Sequence, residues 1–150
     1  MRFFLLVVLL TATAAFAAPS TFVPVVGNAL LCNDHIDPVF FRDYLSTYFK
    51  PPYKTEGGAY WFKPEGARLF GSEVEDIFVS DESVAVDFLG VVINERLPAV
   101  RQQILDTKGV VFSPDTGETS LRSPAGSFLI DYGGSKTKLF CVKYRVSRHR

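Results

Sequence analysis

Histidine and cysteine are scarce in this 150-residue chain, with two of each, and methionine and tryptophan occur once apiece. His35 and His149 cannot by themselves furnish a histidine-built zinc centre, and Cys32 and Cys141 would need two further ligands. No Cys-x-x-Cys pair occurs, which argues against dithiol redox chemistry. Net charge is missing as well: 16 basic residues balance 16 acidic ones. A nucleic-acid binder carries a clear basic excess. Here the basic residues gather only in the tail, at Arg145, Arg148 and Arg150, so nucleic acid is not an expected partner. A Gly-x-Ser-x-Gly elbow is absent. Gly133-Gly134-Ser135-Lys136 lacks the spacing of a phosphate loop and reads as a hairpin turn. The strongly apolar run Phe3–Leu10 is far shorter than the roughly 20 residues of a membrane span.

That short run has another meaning. Arg2 precedes it, and the small-residue site Ala15-Phe16-Ala17 follows, with Pro19 ending the stretch. Together they predict a secretory leader over residues 1–17, cleaved after Ala17. The short n-region and compact h-region look bacterial, so the expected location is the periplasm or the secreted fraction. No membrane association is expected after cleavage. Loss of Arg2 leaves fifteen basic residues against sixteen acidic.

In an oxidising compartment an even cysteine count suggests pairing, so Cys32 and Cys141 are expected to form a disulfide. Fourteen Phe and six Tyr accompany the single Trp. An aromatic-rich chain of this length can bury a core of its own without a metal, and neither metal nor cofactor is expected.

Residues 18–31 read as an N-terminal extension, 32–146 as one globular domain and 147–150 as a basic tail. Asp37-Pro38 marks a helix start. Val39, Phe40, Phe41, Tyr44, Leu45, Tyr48 and Phe49 follow at helical spacing, up to the stop at Pro51-Pro52. Tyr53 to Gly58 reads as a loop. Strands are predicted over Ala59–Lys63, Arg68–Phe70, Val74–Ser80 and Val84–Ile93. The last is apolar enough to be a central strand covered by helix on at least one face. A second helix spans about Leu97–Thr107, with Gly109 as its stop. Val110–Ser113, Ser127–Tyr132 and Thr137–Val146 complete the strands.

The fold class is therefore α+β: two helices packed on one face of a mainly antiparallel sheet, with one disulfide. A faint α-β-β-β pseudo-repeat is visible, Phe62-Lys63-Pro64-Glu65-Gly66 echoing Phe112-Ser113-Pro114-Asp115-Thr116. This alternation resembles, in architecture only, the tandem-repeat β-lactamase inhibitors. The resemblance implies a non-catalytic inhibitory domain.

Candidate chemistry is thin. Asn33, Asp34, His35 and Asp37 match no zinc or EF-hand spacing, and Asp37 is explained as a helix cap. Glu73, Glu75 and Asp76 are the densest carboxylates, but neighbours along one strand cannot face each other across a sugar as a glycosidase pair must. The segment from Pro51 to Trp61 stands out. Tyr, Trp and Arg anchor protein interfaces, and a Pro- and Gly-rich connection runs over the surface. Tyr53, Lys54 and Tyr60 are the expected partner-binding residues. Tyr60 alternates with Trp61, so only one of the two can point outward.

The favoured reading is an exported, non-catalytic protein-binding domain, an inhibitor or immunity protein acting on a cell-envelope enzyme. Its expected partner is a protein of the envelope. The alternatives are a small envelope-directed hydrolase using Asp34 and His35, and a small-ligand carrier with an aromatic pocket.

Overall fold

A computed structural model of the 150-residue chain describes residues 17–116 and 119–145. Twelve elements run in the order α1 (Phe22–Leu30), α2 (Pro38–Tyr48), β1 (Lys54–Glu56), β2 (Ala59–Phe62), β3 (Arg68–Leu69), β4 (Ser72–Ser80), β5 (Val86–Ile93), α3 (Leu97–Lys108), β6 (Ser113–Pro114), β7 (Leu121–Arg122), β8 (Phe128–Tyr132) and β9 (Lys136–Tyr144). All strand pairings are antiparallel, in the order β1-β2-β4-β5-β9-β8-β7-β6, with β3 paired to β4 off this path. The chain is thus α+β, with three helices on a nine-stranded sheet among the described residues.

The strand order is symmetric about its centre. Each half is a helix followed by a meander, and the last strands of the two halves, β5 and β9, pair along eight residues from Val86↔Tyr144 to Ile93↔Thr137. The echoing Phe-x-Pro segments do not occupy matching places in this scheme. Phe62 ends the second strand of the first half, whereas Phe112 precedes the first strand of the second half.

Helix signals read from the sequence are realised in atomic detail. Asp37 caps α2 by accepting from the backbone N–H groups of Val39 and Phe40 at 3.0 and 3.2 Å. Gly109 ends α3 in the left-handed conformation, at φ +67°, which costs glycine little.

Three expectations need correction. Residues 18–31 are not an extension outside the domain. They hold α1, whose Phe22, Val26, Ala29 and Leu30 are at most 1% exposed in the main core. The apolar face at i, i+4, i+7 and i+8 is helical, but Pro19-Ser20-Thr21 is only a short break after the apolar leader, and Thr21 at the N-cap makes no side-chain capping hydrogen bond. The two-helix count therefore becomes three. The loop Tyr53–Gly58 is instead a hairpin, β1 pairing with β2 through Lys54↔Trp61, Thr55↔Tyr60 and Glu56↔Ala59. Gly57 and Gly58 sit at φ +63° and +76°, as a primed two-residue turn requires. Val110 to Phe112 pair with no strand; only Ser113–Pro114 does.

The helices share one face of the sheet. Phe41 and Leu45 of α2 and Val100 and Ile104 of α3 join α1 on Ile77, Val79, Leu89, Val91, Leu129 and Leu139. Cys32 follows α1 and is disulfide-bonded to Cys141 of β9, with Cα atoms 5.4 Å apart and 109 residues between them in sequence. The buried Ser127 hydroxyl donates to the Leu30 carbonyl at 2.6 Å, a second tie from α1 to the sheet. Residues 1–16 and 146–150, which include most of the expected leader, the tail and His149, lie outside the described residues. No described helix is long and apolar enough to cross a membrane.

Candidate functional site

Strand alternation sends every second side chain to the other side of the sheet. On that side a separate apolar cluster forms from Ala59, Phe78 and Val92, with Trp61, Phe88 and Phe140 packed against it. All of its members are strand residues, and among the described residues no helix contributes. Registers align these residues into one row across the strands: Lys54↔Trp61, Trp61↔Phe78, Phe78↔Gly90, Gly90↔Phe140, Phe140↔Phe128 and Phe128↔Arg122. Aromatic residues fill the row, with a cation at either end.

Ring contacts knit the row together. Trp61 and Phe78 lie 4.8 Å apart between centroids, and Phe128 stacks on Phe140 at 5.2 Å and 17°. Phe78 also meets Phe88 at 6.1 Å. The gap left by Gly90 is filled from the side. A Cβ at position 90 would lie 2.0 Å from Phe78 Cζ, so the ring lies over the glycine backbone. A glycine here allows an aromatic ring from the neighbouring strand to cover it. The Trp61 indole donates to the Glu56 carbonyl at 3.0 Å, which fixes the ring's orientation.

Cations are interleaved with these rings. Lys54 Nζ lies 4.6 Å from the Trp61 centroid, and the Arg122 guanidinium 5.1 Å from that of Phe128. Lys138 Nζ sits 4.3 Å from Tyr132, 5.6 Å from Phe78 and 5.7 Å from Trp61. Such contacts favour a cation over an aromatic face. A bulge between Val74 and Asp76 in β4 breaks the carboxylate run. Glu75 pairs with Lys136 at 2.6 Å, while Asp76 binds Lys63 at 2.9 Å and accepts from the Tyr53 hydroxyl at 2.7 Å. Burial first, and then that carboxylate, push the Tyr53 phenol pKa upward.

Tyr53 and Lys54 belong to the rim of this surface, Tyr53 being 47% exposed. Tyr60 does not. It faces the helix layer, half-buried, because it alternates with the outward Trp61. Its hydroxyl donates to Glu82 at 2.6 Å, and Arg42 binds the same carboxylate at 2.8 Å. The hydrogen bond to Glu82 raises the Tyr60 pKa and lowers that of Glu82. This network joins α2 to the β4–β5 turn. The surface residues that sequence reasoning missed are Phe78, Phe88, Phe128, Phe140, Lys138 and Arg122. For Phe128, Phe140 and Lys138 the alternation in β8 and β9 was the available signal. It was masked because both faces of these strands carry apolar side chains.

Asp34 and His35 lie exposed between α1 and α2, beside a broad concavity of about 850 Å³ that also touches Asp87, Lys143 and Arg145. Asp34 accepts from the backbone N–H of His35 at 2.7 Å. Asp87 is engaged by Arg145 at 2.6 Å. Among the described residues no group of three or more His, Cys, Asp or Glu side chains is arranged to hold a metal. A smaller cavity of about 250 Å³ lies beside Arg42, Tyr60 and Glu82. Comparison with protein families, curated proteins and solved structures finds no match for this chain.

Proposed function

We propose that this chain is an exported, non-catalytic binding protein that docks a partner protein on the helix-free face of its sheet, as an inhibitor or immunity protein acting on a bacterial cell-envelope enzyme. One observation carries the reading: the aromatic row from Trp61 to Phe128, bounded by Lys54 and Arg122. Trp61, Phe128 and Phe140 are half-buried and Phe78 is 8% exposed, with Lys54, Arg122 and Lys138 lying over the rings. The face thus offers partly shielded aromatics with cations between them, and aromatic and cationic side chains of this kind anchor interfaces. The row crosses four strand spacings and so extends about 19 Å, more than a small ligand covers. The rings are held by stacking and by the Trp61 hydrogen bond, so docking costs little side-chain entropy. The disulfide and the leader-like first residues support an exported setting.

The test uses a photo-crosslinking amino acid placed at Ile130, on the helix-free face, or at Leu105 on α3. In the producing cell the Ile130 form should trap one protein species and the Leu105 form should not. With that partner in hand, Tyr53→Ala should weaken binding by about 1–2 kcal/mol with little change in stability. Cross-linking from Leu105 alone would place the interface on the helix layer and sink the proposal.

A further inference from the structure

We infer that Lys138 anchors the docking face by taking a carboxylate side chain from an acidic surface of the partner protein; this rests on the docking reading above. The other lysines near the row already have counter-charges. Lys54 pairs with Glu56 at 3.1 Å, Lys63 with Asp76 at 2.9 Å and Lys136 with Glu75 at 2.6 Å. Among the described residues no carboxylate pairs with Lys138. Yet Lys138 is half-buried, set on β9 at the centre of the whole sheet, among Trp61, Phe78 and Tyr132.

A cation in that setting lacks what it needs. The rings remove water from the ammonium and return only cation–π attraction. Burial and the nearby Lys54 ammonium both lower the Lys138 pKa, the direction expected when no counter-charge is at hand. An ammonium offers three hydrogen-bond donors. A carboxylate arriving from solvent would accept from them and neutralise the charge in one step. The aromatic row would then close around the pair and exclude water, as near-neutral contacts do around a hot spot.

The same charge argues against a second copy as occupant. Stacking two such faces sets Lys138 and Lys54 against their own kind, and like charges brought together across an interface are costly. A lone anion would leave the rest of the aromatic row uncovered. An acidic protein surface with apolar residues beside its carboxylate satisfies both parts of the face.

The experiment uses the disulfide-bonded chain from Ala18 onward, labelled with nitrogen-15. It is titrated with acetyl-Gly-Phe-Glu-Phe-Gly-amide, with the Gln counterpart, and with an oligogalacturonate as an anionic saccharide. The Glu peptide should shift the amides of Trp61, Phe78, Tyr132 and Lys138 saturably. It should bind about tenfold more tightly than the Gln peptide, as one charge-assisted hydrogen bond allows. Lys138→Met should abolish that preference and Lys138→Arg should keep it. The comparison of Glu with Gln on the unaltered protein needs no variant to fold. Equal binding of both peptides at this face overturns the carboxylate anchor and leaves the docking face standing. Saturable shifts confined to the helix layer overturn the docking reading itself. Failure of the Glu peptide to bind, or binding of the oligogalacturonate without the Glu peptide, also overturns the anchor.

Discussion

Gly90→Ala tests the contact on which the aromatic face is built. The new Cβ would lie 2.0 Å from Cζ, 2.2 Å from Cε2 and 2.7 Å from Cε1 of Phe78. Carbon–carbon contacts settle at about 3.5–4.0 Å, so the ring must move by about 1.5 Å. It has little room, being 8% exposed and set between Trp61 and Phe88 at 4.8 and 6.1 Å. Forced repacking of this kind costs about 1–3 kcal/mol. Against it, replacing a strand glycine restricts the unfolded chain and returns about 0.4–1 kcal/mol. The net expectation is a destabilisation of about 1–2 kcal/mol. In a Phe78→Ala background the collision is gone, and Gly90→Ala should become neutral or stabilising. The coupling between the two positions should then be about 2 kcal/mol, within the range for residues in contact. Urea unfolding of the four proteins of this cycle measures it, read from midpoints at constant m-value. Trp61, the only tryptophan, reports ring movement through its emission. If alanine at position 90 has the same effect in both backgrounds, Phe78 is not seated on Gly90 and the continuous row fails with it.

Reducing the Cys32–Cys141 bridge opens a loop spanning 109 residues. The chain-entropy model predicts a loss of about 4–5 kcal/mol, and coincident urea midpoints before and after reduction would refute it. Phe22→Ala should cost about 3–5 kcal/mol, as for a filled core position, since Phe22 is 1% exposed and meets Phe49 edge-on at 5.8 Å. A negligible change in the melting curve would mean that α1 is an appendage. The Glu82 carboxyl is lowered chiefly by its hydrogen bond from Tyr60. Its contribution is therefore present above the ordinary carboxylate pKa and is lost as pH falls through the lowered folded value. Glu82→Gln should flatten the acid limb of stability between about pH 2 and 5, and superimposable profiles of the two proteins would rule the network out.

Several parts of this molecule were legible in its residues. Asp37-Pro38 and Gly109 are local signals, and each acts on backbone within one helical turn. The two cysteines could pair only with each other. Tyr53 and Lys54 could be placed at the surface because a Pro- and Gly-rich connection cannot bury its backbone groups. Tyr60 could not be assigned with them, since only strand pairing decides which of Tyr60 and Trp61 points outward.

The sequence by itself determined the α+β class, the caps and turns, and the cysteine partners, because propensity, capping and turn chemistry are properties of short segments. Tertiary structure alone decided that α1 belongs to the core and which face of each strand the helices cover. It also decided that Trp61, Phe78, Phe140 and Phe128 stand in a single row. Those residues lie on four strands and meet only through registers such as Gly90↔Phe140. A slip of one residue in any pairing would turn that strand's side chains to the other face. The chain is apolar on both sides of these strands, so hydrophobic alternation could not distinguish the covered face from the open one. Only the packing of three helices on the opposite side did.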